Sequence, residues 1–79
     1  MRKSIMLTSV QDAEEFVNIA AKCNFNIKVK KSCHHFKTDG KSILGMMAIL
    51  GRDRLDVTYD GEDPEFVQLL EKFQVTSVR

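Results

Sequence analysis

The chain has 79 residues, of which 43% are hydrophobic and 29% charged, and its formal net charge is +1. A chain of this length forms one small domain, here residues 1–79, and it is too short for a two-domain enzyme or a barrel. The nearly balanced charge argues against a protein built mainly to hold nucleic acid through its phosphates.

The cysteine content indicates a reducing compartment, and the lack of long apolar runs argues against a membrane segment. Two cysteines, Cys23 and Cys33, are too few for a disulfide scaffold, so we expect free thiols. No apolar stretch typical of a signal peptide follows the first residues, and the longest apolar run, Ile43–Leu50, is too short to span a bilayer. The sequence therefore predicts a cytoplasmic protein without a membrane segment.

The first elements are a short strand and an amphipathic helix. Ser4–Thr8 is typical of a strand, and Ser9 is a candidate helix N-cap with Asp12 three residues later. The helix is predicted to end near Asn24. Its apolar stripe has the spacing i, i+3, i+4, i+7 and consists of Ala13, Phe16, Val17 and Ala20.

Two strands are predicted next. Phe25–Lys30 alternates between apolar and polar residues, as a half-buried strand does. Lys31 and Ser32 form a plausible tight turn into a weaker strand, Cys33–Thr38, which ends before Gly40.

A short helix and a fourth strand follow. Ser42 is suited to cap a helix over Ile43–Ile49, with Gly51 as its end. Leu55–Tyr59 alternates again and predicts a strand with Leu55, Val57 and Tyr59 directed inward.

The last element is a helix, and the complete order is βαββαβα. Asp63 is its candidate N-cap and Pro64 its first residue, while Val75–Arg79 has no assignment. Its apolar stripe is Phe66, Leu69, Leu70 and Phe73. Burial of all these apolar faces predicts an α+β fold, a four-stranded antiparallel sheet with three helices on one face. The other sheet face would stay in solvent with Asn26, Lys28, Lys30, Asp56 and Thr58.

The segment Lys41–Leu50 and the order of elements resemble the HPr family, the small phosphocarriers of the bacterial sugar phosphotransferase system. The strands Phe25–Val29 and Leu55–Tyr59 and the segment Asp60–Asp63 fit the same family. The resemblance implies an HPr-like open-faced β-sandwich.

In this family a histidine at the start of the first helix, followed closely by Arg and Pro, carries the phosphoryl group. Counting back from Ser42 without gaps, the resemblance places Gln11 at the histidine position, Ala13 at the Arg position and Glu14 at the Pro position. An amide nitrogen is not basic and cannot attack phosphorus. The chain is therefore interpreted as a degenerate member of the family without the carrier histidine. Because the sequence offers no paired carboxylates, no Gly-rich phosphate loop and no catalytic triad, we expect neither enzyme activity nor a cofactor.

The resemblance also gives Ser42 a role, because the matching serine of Gram-positive HPr proteins is phosphorylated by a bifunctional HPr kinase/phosphorylase. The combination of Gln11 and Ser42 is similar to catabolite-repression HPr, a branch of the family. The alternative is a purely structural N-cap, for which serine is common. Matching positions imply that Ile43, Leu44 and Met47 contact partners, whereas periodicity alone would make them core.

The sequence thus predicts a regulatory or adaptor protein that binds partners of the phosphotransferase or carbon-regulation system. One alternative is a decoy or titrant of those partners. Another is a small nucleic-acid-binding module that uses the lysines Lys28, Lys30, Lys31 and Lys37, although such lysines more often form the solvated face of a sheet.

A metal site is not expected. Cys33, His34 and His35 are metal-ligand types, but adjacent residues of a strand point to opposite faces and the spacing matches no zinc pattern.

Overall fold

The helices and strands follow one another as βαββαβα in the computed structural model, which describes residues 2–32, 37–51 and 53–74. This order confirms the predicted one. The elements are β1 (Arg2–Ile5), α1 (Val10–Ala20), β2 (Ile27–Lys31), β3 (Lys37–Asp39), α2 (Ile43–Ala48), β4 (Leu55–Tyr59) and α3 (Pro64–Phe73).

The four described strands form one antiparallel sheet in the order β1-β4-β2-β3. Val29 and Val57, which lie opposite each other on β2 and β4, are fully buried beneath the helices. Lys28, Lys37 and Thr58 on the other face are exposed. The helices therefore cover one face of the sheet, which confirms the predicted α+β architecture.

Aromatic rings from three elements and one loop meet in the core. The ring centroid of Phe66 lies 5.8 Å from that of Phe16 on α1 and 5.3 Å from that of Tyr59 on β4, both in edge-to-face geometry. The half-buried ring of Phe25 lies 6.0 Å from Phe66. Such pairs contribute about 0.5–1.5 kcal/mol each beyond the burial of their area, so they fix α1 and α3 against the sheet.

The bounds of the first strand were predicted wrongly: it is Arg2–Ile5, not Ser4–Thr8. Ile5 and Leu7 are both fully buried, so the apolar alternation continues beyond the strand. The backbone N–H of Met6 donates to the carbonyl of Phe73 at 3.1 Å. The segment after Ile5 therefore pairs with the end of α3 instead of extending the strand.

The first helix ends at Ala20, earlier than the predicted Asn24. The N–H groups of Lys22 and Cys23 donate to the carbonyls of Ile19 and Ala20 at 3.1 and 3.0 Å. These bonds span three residues, as in a 3₁₀ turn, which tightens the chain and ends the α-helix.

The remaining elements agree more closely with the prediction. β4 has the predicted bounds, β2 begins at Ile27 instead of Phe25, and α2 ends one residue before Ile49. The predicted strand Cys33–Thr38 is described only in its last residues, as part of β3; Cys33 to Phe36 and the tail Val75–Arg79 lie outside the described residues.

Asp56 corrects the prediction of a fully solvated outer face, because it is only 8% exposed. It lies on the inner strand β4, opposite Ser4 of β1 and Lys30 of β2. The Ser4 hydroxyl donates to its carboxylate at 3.2 Å, and the Arg2 guanidinium lies 3.8 Å away. Side chains from neighbouring strands thus cover this carboxylate.

Candidate functional site

The start of α1 is closed by its own side chains. Ser9 is the N-cap in extended conformation, and its hydroxyl accepts a hydrogen bond from the N–H of Asp12 at 3.1 Å. The Asp12 carboxylate accepts in return from the N–H of Thr8 at 3.3 Å. This arrangement is a variant of the capping box, in which the carboxylate reaches the residue before the N-cap instead of the N-cap itself. The N-terminal end of a helix attracts anions. At α1 the Asp12 carboxylate occupies this end, so the protein itself supplies the negative charge there.

Gln11, the residue predicted at the carrier position, is exposed in the first turn of α1. It is the second residue of the helix, whereas the N-cap is Ser9. Of the other two predicted positions, Ala13 is fully buried and Glu14 is exposed. Neither Ser9 nor Gln11 carries a basic nitrogen, and the sequence contains no histidine before His34.

Ser42 is the N-cap of α2, as its sequence context predicts. Its side-chain oxygen accepts from the N–H of Gly45 at 3.2 Å, and its own N–H donates to the carbonyl of Asp39 at 3.0 Å. The residue is half-buried. A methyl group on Gly45 would come within 2.5 Å of the Thr38 side chain, so this glycine lets α2 begin close to β3.

Lys41, next to Ser42, joins the start of α2 to the end of α1. Its ammonium group donates to the carbonyl of Cys23 at 2.8 Å, and its backbone N–H donates to the Asp39 carboxylate at 3.0 Å. Burial raises the pKa of the Cys23 thiol, with a further contribution from the Asp63 carboxylate and an opposing one from Lys41. Lys41 therefore ties the start of α2 to the turn that follows α1.

Helices α1 and α2 lie side by side in antiparallel directions. The start of α2 lies at the end of α1 through Lys41, and the segment after α2 returns to the start of α1, where the N–H of Gly51 donates to the Leu7 carbonyl at 3.1 Å. Ser42 and Gln11 therefore lie toward opposite ends of the helix pair, and Ser42 is not part of the α1 capping box.

Two large apolar side chains of α2 are exposed, Leu44 at 79% and Met47 at 40%. We name these two residues the α2 surface. Ile43 is half-buried against the core, and Met46 is fully buried. A third exposed apolar residue, Val10, is the first residue of α1. Val10 belongs to none of the predicted site residues, although it is an apolar residue directly after the N-cap and outside the buried stripe of α1.

The described part of the chain contains no group of three or more His, Cys, Asp or Glu residues that could hold a metal ion. The candidate ligands Cys33, His34 and His35 lie outside it. None of the described helices is long and apolar enough to cross a membrane.

Comparison with known families gives one match, which covers most of the chain. A family model described as the PTS HPr component phosphorylation site, where PTS is the sugar phosphotransferase system, matches residues 9–76. No curated protein sequence gives a significant match.

Several solved structures share the fold. The structure of HPr-C-His from Thermoanaerobacter tengcongensis is 24% identical with a TM-score of 0.70, and the alignment covers 91% of this chain and 88% of that one. The phosphocarrier protein HPr of Bacillus anthracis is 25% identical with a TM-score of 0.64, and the alignment covers 91% of this chain and 89% of that one. A histidine-containing phosphocarrier protein of a mycoplasma is 20% identical, with a TM-score of 0.68 and coverage of 91% and 93%.

Proposed function

Because the chain belongs to the HPr family of the sugar phosphotransferase system, we propose that it is a regulatory or adaptor protein of that system without phosphocarrier activity. The observation that supports this proposal is the start of α1, which is capped by Ser9 and Asp12 and where Gln11, matched to the carrier histidine by the resemblance, has no basic nitrogen. We propose that it acts in the bacterial cytoplasm through protein partners.

Chemistry at the start of α1 disfavours group transfer. A nucleophile for phosphorus needs a lone pair of sufficient basicity or an adjacent base. The Gln11 amide has neither, and the Ser9 hydroxyl accepts from a backbone N–H with no histidine among residues 2–32 to deprotonate it. The Asp12 carboxylate, and Glu14 one turn into the helix, would also repel an incoming phosphoryl group.

We further propose that Ser42 is a site of regulatory phosphorylation. Its half-buried hydroxyl makes one hydrogen bond, from the Gly45 N–H, and a phosphate oxygen could accept the same bond. Phosphorylation would add about −1.5 to −2 charges immediately before α2. The charge would stand beside an apolar surface and would alter its binding without disturbing the core.

The partner surface in this proposal consists of Leu44 and Met47 with the outer edge of Ile43. Exposed apolar side chains on a short helix, with a flexible thioether among them, are typical of a docking surface. The partners would be proteins of the phosphotransferase or carbon-regulation system, including an HPr kinase/phosphorylase that recognises the start of α2.

The absence of carrier activity is tested by incubation with phosphoenolpyruvate and the general phosphotransferase enzyme. The expected result is an unchanged protein mass, while the Bacillus anthracis HPr in a parallel reaction gains a phosphoryl group. An acid-labile phosphoadduct on this chain would contradict the proposal.

The role of Ser42 is tested separately with an HPr kinase and ATP. Wild-type protein should gain an acid-stable phosphate, and Ser42→Ala should gain none. Ser32→Ala removes an exposed serine elsewhere and serves as the matched control. Modification of Ser42→Ala to the same extent, or no modification of the wild type, would assign Ser42 to helix capping alone.

A further inference from the structure

The face of the sheet opposite the helices carries more positive than negative charge. We name this the open sheet face. Its strand residues are Arg2, Ser4, Lys28, Lys30, Lys37, Asp39, Asp56 and Thr58. A shallow depression of about 100 Å³ lies among Arg2, Lys28, Lys30, Lys37, Asp56 and Thr58. Basic side chains of β1, β2 and β3 therefore converge on one depression.

Two lysines on this face lie directly opposite each other. Lys30 of β2 pairs in register with Lys37 of β3. Side chains in such positions are about 4.5–5.5 Å apart at Cβ, and like charges there destabilise a sheet. Lys30 has Asp56 on its other side, but that carboxylate is bonded by Ser4 and faces the Arg2 guanidinium. The lysine pair is thus not neutralised by the nearest acid.

Lys28 completes a group of uncommitted cations. It lies opposite Thr58 and Asp39, and neither it nor the two facing lysines forms an ion pair within the described chain. Lys31, at the end of the same strand, does form an ion pair, because its ammonium lies 3.5 Å from the Asp53 carboxylate. The uncommitted ammonium groups of the open sheet face are free to bind carboxylates from outside.

We propose that the open sheet face is a second docking surface, and that its partner is an acidic segment of another protein. Carboxylates of this segment lie over Lys28, Lys30 and Lys37, where they relieve the repulsion within the lysine pair. This surface lies on the side of the sheet opposite α1 and α2. The inference does not depend on the proposed function, because it uses neither Ser42 nor the α2 surface.

The charge pattern favours an acidic protein segment over nucleic acid. Nucleic-acid affinity grows with the number of phosphates neutralised, and only a small cluster of free cations is present here. Single-stranded nucleic acid also binds through bases stacked on aromatic side chains. No aromatic residue occupies the open sheet face in the described strands. A short run of Asp and Glu residues matches the size of the cluster.

The test is a titration of the ¹⁵N-labelled full chain with an acetylated oligoglutamate peptide, followed by NMR. An oligoglutamine peptide of equal length and an oligothymidylate of equal charge are the comparison ligands. The test variant is Lys30→Gln/Lys37→Gln, which is expected to fold because it removes a repulsion. The matched control, Lys3→Gln/Lys22→Gln, changes the net charge equally at positions away from the open sheet face.

The expected result is a set of amide shifts on β1 to β4 with oligoglutamate and none with oligoglutamine. Lys30→Gln/Lys37→Gln should weaken binding about 2- to 30-fold, and the control should leave it unchanged. Raised salt should weaken binding further. The proposal is overturned if the shifts lie elsewhere, if both double variants lose affinity equally, or if oligothymidylate binds more tightly than the peptide.

Discussion

Replacement of Leu44 by Asp should weaken partner docking without lowering the stability of the fold, because this side chain lies on α2 but is 79% exposed. Its neighbour Met46 on the same helix is fully buried. The two residues therefore make a matched pair: Leu44→Asp should affect partner binding with little change in folding, and Met46→Ala should affect folding directly.

The expected magnitudes follow from the exposures. Full burial of a leucine side chain is worth about 1.5–3 kcal/mol, so a side chain with about a fifth of its area buried loses roughly 0.3–0.6 kcal/mol on replacement. An acidic residue in the first turn of a helix recovers about 0.3–1 kcal/mol. The net change in the free energy of unfolding for Leu44→Asp is therefore smaller than about 0.7 kcal/mol.

Met46→Ala should be far more costly, at about 2–5 kcal/mol, because it opens a cavity in a packed core. A chain of 79 residues has a total stability of only about 4–12 kcal/mol. The corresponding fall in Tm is about 8 °C or more for Met46→Ala.

Urea denaturation followed by circular dichroism measures both changes in stability. The rate of the proposed phosphorylation of Ser42 by an HPr kinase measures docking. Leu44→Asp should keep the wild-type urea midpoint and slow the modification. The assignment of Leu44 to a surface is refuted if Leu44→Asp lowers the urea midpoint as much as Met46→Ala does.

Two further predictions concern a buried thiol and a close-packed glycine. In a Cys33→Ser background, iodoacetamide should alkylate Cys23 much more slowly in native than in denatured protein, because burial raises the thiol pKa above its ordinary 9.0. Equal alkylation rates would disprove the burial. The raised pKa also means that the free energy of unfolding should fall as pH rises above about 9, where the thiol of the unfolded chain ionises first. Cys23→Ala should lack this contribution. Gly61→Ala should cost about 1–3 kcal/mol, because the new methyl group would overlap the Phe25 ring. The cost should largely disappear in a Phe25→Ala background, and an undiminished cost there would place the strain elsewhere.

The sequence predicts best the elements whose ends are set by local chemistry. Asp63 accepts hydrogen bonds from the N–H groups of Glu65 and Phe66 at 3.0 and 3.1 Å, as an Asp-Pro start requires. Ser42 caps α2 in the same local way. Both caps depend only on residues within three positions of the capping residue, so the sequence contains all the information that is needed.

The errors fall where distant residues decide the outcome. The end of β1 depends on the hydrogen bond from Met6 to Phe73, and the burial of Asp56 depends on Arg2 and Ser4. No periodicity within a strand reveals these contacts. The same holds for Lys41, because its bond to the Cys23 carbonyl joins helices that are separated in the chain. The functional roles of Gln11, Ser42, Ile43, Leu44 and Met47 stay predictions.

The position of β1 beside β4 has a consequence for synthesis on the ribosome. Ser4 bonds to Asp56, a residue 52 positions later in the chain. At about 5–20 residues per second, the nascent first strand waits roughly 3–10 s before its neighbour is even translated. During this interval Ile5 of β1 and Leu7, which follows the strand, lack β4 to pack beside. A newly made chain is therefore most open to chaperones, or to pairing with another copy, in this segment.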